Sequence, residues 1–155
     1  MDLLMSKTNK ALCDNMEQDM NVTMVLAQFD TGGKQMTLAN AGQHAYPLLI
    51  RNGTVEPVKA KGLALGMIPN ISYELTKIDL ELGDLLLLMT DGITEPRNAE
   101  GIMYEESGRL NQVLLSIPAD MLIEEVVDTI INDVEAYTAD EEQDDDITLV
   151  AVRVS

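Results

Sequence analysis

Asp91 and Asp145 are the residues of this chain best placed to do chemistry. Thr90-Asp91-Gly92 directly follows the run Leu85-Leu86-Leu87-Leu88-Met89, and Asp145-Asp146-Ile147-Thr148 directly precedes Leu149-Val150-Ala151-Val152. A carboxylate at the mouth of a buried strand has a rigid mount above a low-dielectric floor. Two such mounts side by side in one sheet would aim their carboxylates at one point, which a hard divalent cation could occupy. The adjacent carboxylates of Asp145 and Asp146 would repel each other unless a cation neutralised them. Gly92 would let the backbone approach a ligand closely.

Other residue types give less. His44 is the only histidine and lies in a loop after Asn40-Ala41-Gly42-Gln43, so no zinc site forms around it. No Gly-x-Ser-x-Gly elbow is present to mount a serine nucleophile. Gly62-Leu63-Ala64-Leu65-Gly66 lacks the Lys-Ser/Thr pair of a phosphate loop and reads as a packed connecting turn. Cys13 is the only cysteine, which excludes an internal disulfide and disfavours a thiolate metal site.

The elements that must position the carboxylates follow from periodicity. Leu4, Thr8, Ala11, Leu12 and Met16 predict an amphipathic helix over about 2–18. Asn21 to Phe29 reads as a strand, Asp30 to Gly33 as a turn and Gln35 to Asn40 as the return arm. Tyr46 to Arg51 and Thr54 to Val58 flank Asn52-Gly53, a pair favoured in type I′ turns. Ser72 to Leu80 and Asp84 to Thr90 read as two further strands, the second buried. Helical patterns cover about 105–116 and 119–137, with Pro118 near the first turn and Asp120 as the expected cap. Ile123, Val126, Val127, Ile130, Val134 and Tyr137 mark the apolar face of the second. The acidic loop 138–146 leads into a last strand, Ile147 to Val154. Runs of hairpins with segregated helices indicate an α+β fold with mostly antiparallel sheet.

The bulk numbers bound the function. At 155 residues and 46% apolar, the chain can bury a core of one domain. Its net charge of −17 disfavours nucleic acid and anionic membranes as partners and suits cations or a basic protein surface. With aromatic content of only 3%, stacking platforms for bases are scarce. No stretch is long enough to span a bilayer, and the acidic start at Met1-Asp2 is unlike a signal peptide, so the cytoplasm is the expected compartment.

Taken in order, Asn40-Ala41-Gly42, Pro47-Leu48-Leu49, Gly62-Leu63-Ala64-Leu65-Gly66, Gly83-Asp84, Thr90-Asp91-Gly92-Ile93-Thr94-Glu95 and Asp145-Asp146-Ile147-Thr148-Leu149 form a pattern. It resembles the bacterial serine phosphatases of the sporulation-stage-II-E and sigma-factor-regulator type, a branch of the metal-dependent protein phosphatases of the protein phosphatase 2C class. The resemblance covers essentially the whole chain. It implies an α-β-β-α layered sandwich of two mostly antiparallel sheets, with two Mn²⁺ or Mg²⁺ ions at one end. It implies that metal-activated water attacks phosphorus of a phosphoserine or phosphothreonine. The implied substrate is a phosphorylated anti-sigma-factor antagonist-type protein, in a sigma-factor or stress-signalling pathway. By that pattern Asp91 and Asp145 match catalytic, metal-binding aspartates, Asp146 stands where relatives carry Asp or Asn, and Gly92 matches the glycine after the first aspartate.

Two departures qualify the match. The family has an earlier Asp-Gly pair whose aspartate bridges the metals, yet Asp2, Asp14, Asp19 and Asp30 are not followed by Gly. The chain therefore reads as the C-terminal part of one phosphatase domain, residues 1–155, incomplete at its N-terminus and weakly active or inactive alone. Gln43-His44 stands where many relatives place His directly after Asn-Ala-Gly, so no role passes to His44. Exposed sheet edges are expected to drive self-association. An alternative reading, a catalytically incomplete acidic interaction or regulatory domain of the same pathway, stays open at this level.

Overall fold

Of the chain, a computed structural model describes residues 1–17, 20–139, 141, 143 and 145–155. The predicted helix end at Gln18 falls outside these residues, as do Asp19 and, in the acidic loop, Asp140, Glu142 and Asp144. The expected α+β composition is present as two antiparallel sheets with helices, distributed over two compact units.

The first unit comprises 1–44 and 59–81. Helix α1 (Asp2–Asn15) accompanies strands β1 (Met24–Phe29), β2 (Gln35–Ala41) and β5 (Thr76–Asp79), which pair in the order β1-β2-β5. The β1–β2 register runs from Met24↔Ala41 to Phe29↔Met36. Asp30 closes that hairpin: its carboxylate accepts the amides of Lys34 and Gln35 at 2.7 and 2.9 Å. Those amide bonds, Gln35 foremost, hold its carboxyl below the usual carboxylate range. Strand β1 is shorter than expected, with Val22 making only an isolated bridge to Leu65.

The buried side of α1 differs from the expected stripe. Met5 and Asn9 are buried, whereas Leu4 and Ala11 are exposed. The reason is hydrogen bonding. Asn9 Nδ2 donates to Ile68 O at 2.9 Å, while its Oδ1 accepts from Gly66 N at 2.9 Å and from the Tyr73 hydroxyl at 3.3 Å. A buried amide fully met by partners outweighs the apolar pattern, so the helix turns Asn9 inward. The same bonds fix the loop 62–68 as the packed connection expected, with Leu65 in the core beside Met5, Ala39, Ala41 and Tyr73.

The second unit comprises 45–58 and 82–155. Its strands β3 (Leu48–Arg51), β4 (Thr54–Pro57), β6 (Leu85–Met89) and β7 (Leu149–Arg153) pair in the order β4-β3-β6-β7, all antiparallel. Asn52 and Gly53 both have positive φ (50° and 73°), as the expected I′ turn requires. Three helices follow β6: α2 (Asp91–Thr94), α3 (Arg109–Ser116) and α4 (Ile123–Thr138). Val126, Ile130 and Val134 of α4 pack with Leu110, Leu114, Ile93, Tyr104 and the β6 residues Leu85, Leu87 and Met89. All of β6 but Leu88 is buried, which is what its leucine run requires. Asp84 at its start is buried and takes a two-pronged bond from Arg51, with Nε–Oδ1 at 2.8 Å and Nη2–Oδ2 at 2.5 Å.

Helix starts depart from expectation. The 105–116 pattern becomes helical only at Arg109, because 104–108 is a turn that ends in Gly108 at φ 71°. Asp120 does not cap α4. A turn with Met121 N donating to Pro118 O intervenes, and Leu122 N donates instead to Glu125 Oε2 at 3.2 Å. Asp91-Gly92 opens the four-residue helix α2.

Candidate functional site

The ends of β6 and β7 are joined by one side chain. The last ladder pair is Met89↔Leu149, and Thr90 N continues it by donating to Thr148 O at 3.1 Å. The Thr90 hydroxyl then does two things. It accepts from Thr148 N at 3.0 Å and donates to Asp146 O at 3.1 Å. This staple carries the pairing one step past the strands, to the level of the aspartates.

Gly92 shows how close the two segments come. A Cβ on Gly92 would lie 2.4 Å from Asp146 O and 3.2 Å from Ile147 Cα. Only a residue without a side chain fits there, so glycine is required by space. The α2 turn is fixed in place by Ile93 N donating to Thr90 O and Glu95 N donating to Asp91 O, at 3.1 and 2.8 Å. On the other segment, Asp145 Oδ1 accepts Asp146 N at 2.7 Å, and Gln143 Nε2 donates to Asp145 O at 2.7 Å.

Asp91, Gly92 and Asp145 all line one cavity of about 500 Å³. Asp146 is not among its lining residues; it contributes the backbone carbonyl held by Thr90 and closed upon by Gly92. His44 is exposed. Its loop is braced by buried Asn40, whose Nδ2 donates to Gln43 O and Ala60 O and whose Oδ1 accepts Gln43 N.

The cavity has walls that strand-end reasoning alone missed. One is α4, through Val134, Glu135 and Thr138. The other is the loop 95–101. Asn98 folds this loop back on itself: its Oδ1 accepts Glu100 N and Ile102 N at 3.1 and 3.0 Å. Arg97 Nη1 donates to Gly101 O at 2.6 Å. Tyr137 of α4 ties the two walls together by donating to Ile102 O at 3.0 Å. The signal available in sequence was the turn-forming Asn98-Ala99-Glu100-Gly101 set.

Beneath this loop, Asp133 accepts the Tyr104 hydroxyl at 2.7 Å and a fork from Arg109, with Nε at 2.7 Å and Nη2 at 2.9 Å. The Arg109 guanidinium holds the Asp133 carboxyl below the usual range. Burial, with Asp133 alongside, pushes the Tyr104 hydroxyl up.

The donor set at the cavity is hard: carboxylate oxygens of Asp91 and Asp145. Magnesium-like ions are commonly held by one or two carboxylates and keep several waters. Asp91 and Asp145 are donors of that kind in the wall of one cavity. Among the described residues no group of three or more His, Cys, Asp or Glu side chains converges.

The chain spans less than half the length of the curated relatives it matches. It is 26% identical over 152 residues to the phosphoserine phosphatase RsbU of Bacillus subtilis, covering 97% of this chain and 44% of that protein. Its fold superposes on the PP2C phosphatase domain of the cell-fate determinant SpoIIE from Bacillus subtilis with a TM-score of 0.81, at 23% identity over 99% of this chain and 44% of that one. It also superposes on the catalytic domain of the serine/threonine protein phosphatase PstP, solved in complex with two manganese ions, with a TM-score of 0.68 at 19% identity over 95% of this chain and 67% of that one. The fold is thus that of the PP2C phosphatases, and a family model described as Stage II sporulation protein E (SpoIIE) matches residues 1–155. This chain belongs to the SpoIIE family.

Proposed function

We propose that this chain is the C-terminal part of a metal-dependent phosphoserine/phosphothreonine protein phosphatase domain. The observation that carries the reading is the Thr90 staple, which sets Asp91 and Asp145 in the wall of one cavity from opposite ends of the chain's second half. The curated relative RsbU, itself a phosphoserine phosphatase, supports the substrate class. The manganese complex of PstP supports Mn²⁺ or Mg²⁺ as the cofactor, two ions in the complete domain.

Asp91 and Asp145 hold an ion in this reading, with Asp146 beside it and Gly92 letting the Asp146 backbone close on the Asp91 turn. When bound, the ions would supply an activated water and neutralise charge on the phosphoryl group. The protein's part is positioning and the exclusion of bulk water, and it needs no nucleophilic side chain. The substrate is a phosphorylated anti-sigma-factor antagonist-type protein of a sigma-factor or stress pathway. No helix among the described residues is long and apolar enough to cross a membrane, in keeping with work in the cytoplasm.

The test is hydrolysis of an aryl phosphate with Mn²⁺ by the chain and by a version extended upstream. Turnover should be weak or absent in the first, present in the second, and abolished by Asp91→Asn. Undiminished turnover in Asp91→Asn would refute the role.

A second reading, a catalytically incomplete acidic interaction domain, draws on the lack of a third convergent ligand among the described residues. Calorimetry with Mn²⁺ separates the two, because such a domain takes up metal only weakly and nonspecifically even when extended.

A further inference from the structure

We propose that Arg97 is the residue of this cavity that takes the phosphoryl group of the substrate, a phosphate monoester dianion. The inference rests on the phosphatase reading and adds to it a specificity-determining residue.

The argument begins with charge. Asp91, Glu95, Glu135, Glu141 and Asp145 line the cavity as carboxylates, and Arg97 is the one cation among its described lining residues. A dianion entering such a space meets repulsion from every carboxylate left unneutralised. Bound ions would offset Asp91 and Asp145, and against the remaining carboxylates Arg97 is the one protein cation among the described lining residues that can face the dianion.

The second step is what Arg97 does not bind. Arg51 forks onto the Asp84 carboxylate, and Arg109 forks onto Asp133. Both are neutralised in the structure. Arg97 shares its cavity with five carboxylates, yet its hydrogen-bond partner among the described residues is a neutral carbonyl, Gly101 O. Its charge is therefore uncompensated by an ion pair there. One Nη1–H is committed to the carbonyl, which holds the guanidinium plane. The Nε and Nη2 side of the fork is left to match two oxygens of a phosphate.

The third step is the mount. Arg97 bridges Met103 across the folded loop, Asn98 pins the loop from within, and Tyr137 of α4 holds Ile102 from outside. A long side chain at the edge of a cavity is an imprecise ligand unless its backbone is held. This one is held at three points.

The experiment compares the chain with Arg97→Ala and Arg97→Lys, by calorimetric titration of inorganic phosphate in Mg²⁺ buffer. Circular dichroism verifies that the variants fold; Arg97 is exposed, so they should. Loss of a charge-assisted fork should weaken phosphate binding about tenfold in Arg97→Ala, and lysine should restore only part of it. In the upstream-extended enzyme, KM for a phosphoserine peptide should rise about tenfold with kcat changed far less. Phosphate affinity within twofold of the parent in both variants, or no phosphate uptake by the parent chain, overturns the assignment. The two readings fail separately. If Asp91→Asn abolishes turnover while the Arg97 variants bind phosphate normally, only Arg97 is misassigned. If Asp91→Asn keeps full turnover, the phosphatase reading itself falls.

Discussion

Thr90 and Gly92 decide how the two aspartate segments meet, one by hydrogen bonds and the other by having no side chain. Gly92 has a backbone conformation open to other residues, so the constraint is space: an added Cβ would press on the Asp146 carbonyl at 2.4 Å. Backbone cannot yield as a flexible side chain can. Gly92→Ala is therefore expected to cost about 1–3 kcal/mol, as overpacking does, and to weaken Mn²⁺ uptake, both read by thermal melts with and without metal. Thr90→Val keeps the shape of the side chain and removes its donor and acceptor. It leaves Asp146 O and Thr148 N without their partner, so a loss of about 1–2 kcal/mol is expected. A Thr90→Ser variant keeps the hydroxyl and should hold most of the stability in the same denaturant titration.

Among the elements, the loop 95–104 and helix α4 form one unit through Tyr104, Arg109, Asp133 and Tyr137. Tyr104 and Tyr137 meet edge to face at 5.2 Å, and the Arg109 guanidinium sits 5.7 Å from the Tyr137 ring centre. The arginine fork depresses the Asp133 pKa, so its contribution to stability is present above the ordinary carboxylate pKa. It is lost as pH falls through the lower, folded-state value. Asp133→Asn should cost about 2 kcal/mol at neutral pH, in the range of hydrogen bonds to charged groups. The gap between variant and parent should close as pH drops below about 4, where the parent's carboxyl in the unfolded chain protonates. Urea titrations at pH 7 and pH 3 check it; an equal gap at both pH values would contradict the assignment. In the other unit, Asn9→Leu restores the apolar pattern of α1 but strands Gly66 N and Ile68 O. It should destabilise the chain by about 1–3 kcal/mol despite adding hydrophobic surface.

At the scale of the whole molecule, the charge of −17 and the open end of a sheet set behaviour in solution. Ligands that bind the folded state alone stabilise it by mass action, by about 2.7 kcal/mol at a hundred times Kd. Mn²⁺ should raise Tm, EDTA should reverse the rise, and Asp91→Asn should blunt it. Strand β7 ends the order β4-β3-β6-β7 and carries Val150, which is 50% exposed. Such an edge templates pairing unless charge opposes it. Self-association seen by light scattering should rise with salt, which screens the net charge, and fall in Val150→Lys.

Composition, periodicity and turn residues were enough for the α+β class, the two hairpins, the apolar face of α4 and the strand ends bearing Asp91 and Asp145. Each of these depends on residues near one another in the chain, where burial and backbone geometry dictate the pattern. The inward turn of Asn9 and the tie between α4 and the loop that carries Arg97 were not legible. They depend on partners far off in sequence: Gly66 and Ile68 for Asn9, α4 for the loop that carries Arg97. A side chain's hydrogen-bond partners across the fold exist only after the chain has closed, so tertiary structure alone decided which polar residues face inward and which carboxylates share a cavity with a cation.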